Sequence, residues 1–136
     1  MEEFITIPEG VSVDIEEKKV VIRGTKGQLE RDFDDPRFNH IIEMEKKDSK
    51  VIIRAAEDKR LIKSMIGTMC AHMRNMINGV TKGYSYTLKI VTTHFPITVL
   101  QAGNDIQIKN FFGEKSMRVA KLVGQTHVRI DKDSIE

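Results

Sequence analysis

Short apolar runs with a two-residue period fill the first 55 residues of the chain. In VSVDI (11–15) the side chains of Val11, Val13 and Ile15 fall on one face, which predicts a half-buried β-strand. Polar turns such as residues 47–49 separate the runs, so we expect an antiparallel meander. The strand candidates of this part are residues 4–7, 11–15, 20–24, 28–33, 41–46 and 50–55.

The apolar period changes between Glu57 and Gly83. Apolar residues there recur at three- and four-residue spacing, which is the pattern of an amphipathic helix. They are Leu61, Ile62, Met65, Ile66, Met69, Cys70, Met73, Met76, Ile77 and Val80. The pattern predicts one helix over residues 57–82, with Asp58 as its N-cap and Gly79 or Gly83 near its end. One long helix beside a small antiparallel sheet predicts the α+β fold class.

Strand-like runs return after Tyr84 and repeat the rhythm of the first half. They are residues 84–91, 97–100, 105–111, 117–122 and 127–130. A gapless offset of 86 residues aligns Val13 with Val99, Val20 with Ile106, Ile22 with Ile108, Gly27 with Gly113, Phe33 with Val119, and residues 41–44 with 127–130. The repetition predicts two similar domains from an internal duplication, residues 1–82 and 83–136.

The second repeat contains no counterpart of the helix, which would leave one face of its sheet uncovered. We expect this counterpart to lie beyond residue 136. A partner that covers the face is the alternative.

The composition is 40% hydrophobic and 31% charged, as in globular proteins. The acidic start MEEFITIPEG and the lack of a long apolar run predict neither a secretory signal nor a membrane span. The single cysteine, Cys70, fits a reducing compartment, so we expect a cytoplasmic protein.

Basic residues exceed acidic ones only in the second half of the chain. Residues 1–82 hold 15 of each, whereas residues 83–136 hold seven basic and five acidic residues. Between Tyr84 and Arg129 the only acidic residues are Asp105 and Glu114. This excess predicts a modest basic surface on the second repeat.

The sequence does not predict an enzyme or a cofactor site. Cys70 and His72 are two positions apart, so they point in different directions on the helix and cannot act together. The four histidines lack metal-ligand spacing, and no phosphate-binding glycine motif occurs. A solvated turn explains Glu114 beside Lys115 better than an acid–base pair does.

RNA binding is the remaining chemical candidate for the second repeat, and a solvated basic face is the alternative. Phe111 and Phe112 follow a strand-like run, so they are expected to alternate across that strand, with one of them in the core. The other ring then stacks on a base or covers a seam between the repeats. The candidate RNA contacts are Lys109, Asn110, Lys115, Arg118, Lys121 and Arg129.

The segments HFPITV (94–99) and IKNFFGEK (108–115), followed by R-x-A-K (118–121), resemble the universal large-subunit ribosomal protein family L-six (eukaryotic L-nine) in its archaeal and eukaryotic form. The resemblance extends to residues 11–33 and 70–86, and thus to most of the chain. Members of this family usually extend further, with a second helix and a basic tail.

The resemblance implies two similar α+β domains and a structural, non-catalytic role. It implies that the second domain binds large-subunit rRNA near the factor-binding region, beside ribosomal proteins at the stalk base. It implies no membrane, metal, cofactor or small-molecule substrate. The alternative function is a non-ribosomal protein–protein interaction module that uses an exposed sheet edge.

Overall fold

The computed structural model describes all residues from Met1 to Glu136, in two compact units, Met1–Tyr84 and Ser85–Glu136. The first unit contains six strands and one long helix. Its elements are β1 (Glu2–Thr6), β2 (Ser12–Glu16), β3 (Lys19–Gly24), β4 (Gly27–Asp32), β5 (Ile42–Lys47), β6 (Lys50–Ala55) and α1 (Arg60–Thr81).

The six strands form two three-stranded antiparallel sheets in the orders β1-β6-β5 and β2-β3-β4. The hairpins β2–β3, β3–β4 and β5–β6 follow the predicted meander. The predicted meander is wrong in two places: β4 and β5 lie in different sheets, and β1 pairs with β6 rather than with its neighbour β2. Alternation within each strand does not determine this long-range pairing, which closes the first sheet across about fifty residues.

Helix α1 buries one apolar stripe against strands of both sheets, as the three- and four-residue spacing predicts. Ile66 and Met73 are fully buried in this core, together with Val20 and Ile22 from β3. Leu61 was also placed on the stripe, but its side chain is 65% exposed. It lies in the first turn of α1, at the edge of the stripe.

The two ends of α1 differ in how they are capped. The N-cap is Lys59, which makes no side-chain capping bond, so the prediction that Asp58 caps the helix is wrong. At the other end Lys82 and Gly83 both donate backbone N–H groups to the Asn78 carbonyl oxygen. Gly83 has a φ of +74°, the left-handed conformation in which glycine ends many helices, so its predicted role is confirmed.

Gly24 lies at the end of β3, where the strand passes close to the last turn of α1. A Cβ on Gly24 would lie 2.6 Å from the Val80 carbonyl oxygen and 2.7 Å from Val80 Cγ2. We expect Gly24→Ala to lower the free energy of unfolding by about 1–3 kcal/mol, because the helix backbone must move.

Gly67→Ala is the matched control for Gly24→Ala. Gly67 is exposed within α1 with no atom near its Cβ position, so alanine should stabilise the helix by about 0.5–1 kcal/mol. Urea unfolding monitored by circular dichroism compares the two, and shifts of the same sign would contradict the prediction.

The second unit contains short strands, a 3-10 turn and no α-helix. Its strands are β7 (Leu88–Lys89), β8 (Thr98–Ala102), β9 (Asp105–Lys109), β10 (Arg118–Lys121) and β11 (Ser134–Ile135). Strands β8, β9 and β10 form an antiparallel sheet with β9 in the centre, and β7 pairs with β11. The strands predicted at residues 84–91 and 127–130 are mostly irregular. Only Leu88–Lys89 and the isolated bridge from Ile130 to Ile135 form there.

The hairpins β2–β3 and β8–β9 have the same register at the predicted offset of 86 residues. Val13 opposes Ile22 in the first unit, and Val99 opposes Ile108 in the second. The offset then changes, because Ile22 opposes Leu29 whereas Ile108 opposes Arg118. The second copy therefore has three more residues between these paired positions. The gapless alignment is wrong beyond β9, and Gly113 and Val119 are not the counterparts of Gly27 and Phe33.

The counterparts of the first core are more open in the second unit. Val13, Val20 and Ile22 are buried, whereas Val99 and Ile106 are only half-buried. No side chain in Ser85–Glu136 is fully buried. Antiparallel sheets with a single long helix confirm the predicted α+β class. None of the helices is long and apolar enough to span a membrane.

Candidate nucleic-acid interface

The turn between β9 and β10 has an unusual backbone. Asn110 and Phe112 both adopt the left-handed conformation, with φ of 59° and 51°, and Gly113 follows with a φ of 71°. Backbone N–H groups of Gly113 and Glu114 donate to the carbonyl oxygens of Asn110 and Phe111 and close a short 3-10 turn. A positive φ is rare for a bulky side chain, and such strain costs on the order of 1–3 kcal/mol. Residues 110–114 are therefore held in a specific conformation.

Arg118 fixes this turn from the first position of β10. Its Nε and Nη2 atoms donate to the two carboxylate oxygens of Glu114 at 2.9 and 2.7 Å. Its guanidinium carbon also lies 4.5 Å from the centre of the Phe111 ring. The hydrogen bonds from Arg118 lower the pKa of the Glu114 carboxyl, and those to Glu114 raise the pKa of Arg118. Arg118 therefore positions the turn, and its charge is already balanced by Glu114.

The turn packs against the segment before β8. A Cβ on Gly113 would lie 3.2–3.4 Å from atoms of the Phe95 ring, so the absence of a side chain lets the ring approach the backbone. The Phe111 and Phe112 rings meet edge to face, with their centres 4.6 Å apart. A pocket of about 330 Å³ lies at this junction. It is lined by Val91, Thr92, Thr93, His94, Phe95, Ile97, Phe111 and Phe112. The fold thus brings HFPITV and NFFGEK together.

Three of the predicted contact residues are free lysines. Lys109, Lys115 and Lys121 are exposed and take part in no ion pair or side-chain hydrogen bond. Alternation along β9 and β10 places Lys109 and Lys121 on the same face of the sheet, with Asp105 directly opposite Lys121. Lys115 lies in the turn itself. These ammonium groups are available to a phosphate.

The two arginines of the predicted set are not free. Arg118 opposes Ile108, so it points to the face opposite the one that carries Lys109 and Lys121. Arg129 lies outside the β8–β10 sheet, and its Nη2 atom is 3.5 Å from Asp131 and 3.3 Å from Glu136. The six predicted residues therefore do not form one patch. Asn110 contributes its backbone conformation and its carbonyl oxygen, and its side chain makes no hydrogen bond.

Comparison with known proteins identifies the family. The family model described as Ribosomal protein L6 matches residues 7–83. Large ribosomal subunit protein uL6 of Sulfurisphaera tokodaii is 42% identical over 98% of this chain and 70% of its own length. The uL6 protein of Ignicoccus hospitalis is 43% identical over 93% of this chain and 69% of its own length. The uL6 protein of Staphylothermus marinus is 47% identical over 90% of this chain and 66% of its own length.

The chain belongs to the ribosomal protein L6 family. The resemblance drawn from HFPITV and NFFGEK is therefore confirmed. The family profile matches residues 7–83, whereas the uL6 alignments extend over nearly the whole chain.

The structure places the phenylalanine pair differently from the prediction made from the sequence. Phe111 and Phe112 lie in a 3-10 turn rather than on a strand, so they do not alternate across a sheet. Neither ring is fully buried: Phe111 is half-buried and Phe112 is 76% exposed. Phe95 was not among the predicted site residues. Its only signal in the sequence was its place inside HFPITV.

Cys70 and His72, which were considered for nucleophilic catalysis, lie in the first unit of this L6 family chain. Cys70 is buried in the core of the first unit, and this burial raises the pKa of its thiol. His72 lies against Phe33, with ring centres 6.3 Å apart. Nothing in this arrangement activates a nucleophile.

Proposed function

We propose that this chain is a non-catalytic structural constituent of the large ribosomal subunit, and that its second unit binds large-subunit rRNA. Membership of the L6 family supports the first part, because the relatives described above are named large ribosomal subunit proteins. One structural observation carries the second part. It is the set of three exposed, unpaired lysines of the second unit: Lys109 and Lys115 beside and in the turn, and Lys121 at the other end of β10.

Charge pairing supports the choice of these lysines over the arginines. An arginine that already holds carboxylates, as Arg118 and Arg129 do, must give them up before it can bind a phosphate. A free ammonium group only releases water and counterions, and this release drives binding to a polyanion. The lysines therefore supply most of the electrostatic attraction, and Arg118 keeps the turn in shape.

The lysines differ in the part of the second unit from which they project. Lys109 and Lys121 project from one face of a hydrogen-bonded sheet, and Lys115 projects from the turn at its end. Phosphate contacts of this kind fix a protein on RNA without reading the bases.

We further propose that the protein lies near the factor-binding region, with ribosomal proteins of the stalk base as neighbours, because the resemblance to the L6 family implies that location.

The salt dependence of binding tests this proposal. The probe is purified archaeal large-subunit rRNA, titrated with the full chain at several potassium concentrations. With three phosphate contacts, the logarithm of the association constant should fall with the logarithm of salt concentration at a slope of about −2 to −3. Lys115→Ala should reduce the size of that slope by about 1.

The matched control is Lys19→Ala in the first unit. Lys19 is also exposed, but it is paired with Glu30 at 3.4 Å, so its removal should leave the slope unchanged. A slope near zero would overturn the electrostatic mechanism. Failure to bind rRNA at any salt concentration would instead favour the alternative, a protein-interaction module, for which the outer edges of β8 and β10 are available to an added strand.

A further inference from the structure

The geometry points to a site for one unpaired RNA base in the pocket between HFPITV and NFFGEK, stacked on Phe112 beside Phe95. This site rests on the proposed function, because it presupposes that the second unit meets RNA. It adds a contact to the base, whereas the lysines contact only the phosphate backbone.

Two aromatic rings of this pocket are exposed to solvent. Phe112 is 76% exposed and Phe95 is 56% exposed, and both line the same pocket of about 330 Å³. A single exposed phenylalanine is ordinary, but two rings around one open pocket form an apolar surface with a specific shape. Aromatic faces of this kind bind the faces of unstacked bases in single-stranded RNA.

The backbone conformation of Phe112 is unusual for an aromatic residue. This residue has a φ of 51°, a conformation that glycine adopts without strain. The chain nevertheless places a large aromatic side chain there and points it to solvent. Its contact with the Phe111 ring leaves most of it uncovered, so packing alone does not explain an aromatic side chain at this position. A binding role for the ring explains it.

Neighbouring residues of the turn support the Phe112 ring. The Phe112 and Phe111 rings contact each other edge to face, and the Arg118 guanidinium lies over the Phe111 ring. Gly113 allows Phe95 to lie against the turn. These contacts hold Phe112 and Phe95 in place before a ligand arrives, so little conformational entropy is lost on binding.

The charges around the pocket favour a nucleotide over an apolar peptide. No carboxylate lines the pocket, and the nearest one in the turn, Glu114, is neutralised by Arg118. Lys109 and Lys115, both unpaired, flank the turn on its two sides in sequence. The hydroxyl groups of Thr92 and Thr93 provide donors and acceptors for a base edge.

The test uses the full chain and two RNAs of equal length. One is a stem-loop with an adenosine loop that carries a single 2-aminopurine, and the other is a fully paired duplex. We expect tighter binding of the stem-loop and a loss of 2-aminopurine fluorescence on binding, as stacking quenches it. Phe112→Ala should weaken stem-loop binding by about 5- to 100-fold. It should leave duplex binding and the salt slope nearly unchanged, because no phosphate contact is lost.

Two further variants separate stacking from simple apolar contact. Phe112→Tyr keeps an aromatic face and should bind the stem-loop like the original chain, whereas Phe112→Leu should bind it like Phe112→Ala. The ring is exposed, so all three variants should fold normally by circular dichroism.

The outcomes distinguish the base site from the proposed function. Equal stem-loop binding by Phe112→Leu and the original chain would overturn the base site, and so would no effect of Phe112→Ala. If salt-dependent duplex binding persisted in either case, rRNA binding itself would stand. Failure of the original chain to bind either RNA would overturn both.

Discussion

Replacing Lys109, Lys115 and Lys121 together by glutamate is expected to reduce the affinity for large-subunit rRNA by about a thousandfold or more. Hydrogen bonds to charged groups contribute roughly 1.5–3 kcal/mol each, and three of them would be replaced by repulsion. The three side chains are exposed and unpaired, so the free energy of unfolding should hardly change. Filter binding gives the affinity, and reconstitution of large subunits followed by sedimentation gives the incorporation.

A second triple variant, with Lys46, Lys47 and Lys63 replaced by glutamate, is the matched control. These residues of the first unit are also exposed and without ion pairs, and the change in net charge is identical. We expect the control to lose far less affinity, because only long-range attraction is affected. An equal loss in both variants would mean that net charge, rather than the second unit, determines binding.

The largest loss of stability is expected from Ile66→Ala. Ile66 is fully buried on the inner face of α1, where the helix packs against both sheets of the first unit. Removing its side chain beyond Cβ should lower the free energy of unfolding by about 2–5 kcal/mol, through lost burial and the cavity that remains.

Leu61→Ala serves as its control, since both residues were predicted to lie on the same stripe but Leu61 is 65% exposed. Its replacement should change the free energy of unfolding by about 0.5 kcal/mol or less. Urea titrations followed by circular dichroism at the helix band measure both. Equal midpoints would contradict the assignment of the buried face.

Periodicity predicted most of the first unit because burial there follows the repeat of each element. The helix was expected over residues 57–82 and spans Arg60–Thr81, and the strand expected over 50–55 forms as β6. The same rule failed at Leu61, because spacing alone does not distinguish the centre of an apolar stripe from its edge. It also failed for β1, whose partner β6 is distant in sequence.

The candidate site was harder to predict, because its geometry depends on a turn rather than on a period. Nothing in the order of residues reveals that Phe112 adopts a positive φ. The pairing of Arg118 with Glu114 depends on the turn that brings them together, because four-residue spacing predicts contact only within a helix. The pairing of Arg129 with Glu136 arises from a hairpin in which their backbones exchange hydrogen bonds.

The three extra residues between the paired positions of β9 and β10 have a small thermodynamic cost. Lengthening the connection between two paired residues of a hairpin from six to nine residues costs only a few tenths of a kcal/mol in closure entropy. The register of β8 and β9 is accordingly the same as that of β2 and β3, although the next connection is longer. In the first unit the short turn lies against α1, where Lys26 donates its backbone N–H to the Val80 carbonyl oxygen. The second unit has no such helix at its turn, and NFFGEK forms the longer connection there. The two copies thus share a hairpin register and differ in the length of the turn that follows it.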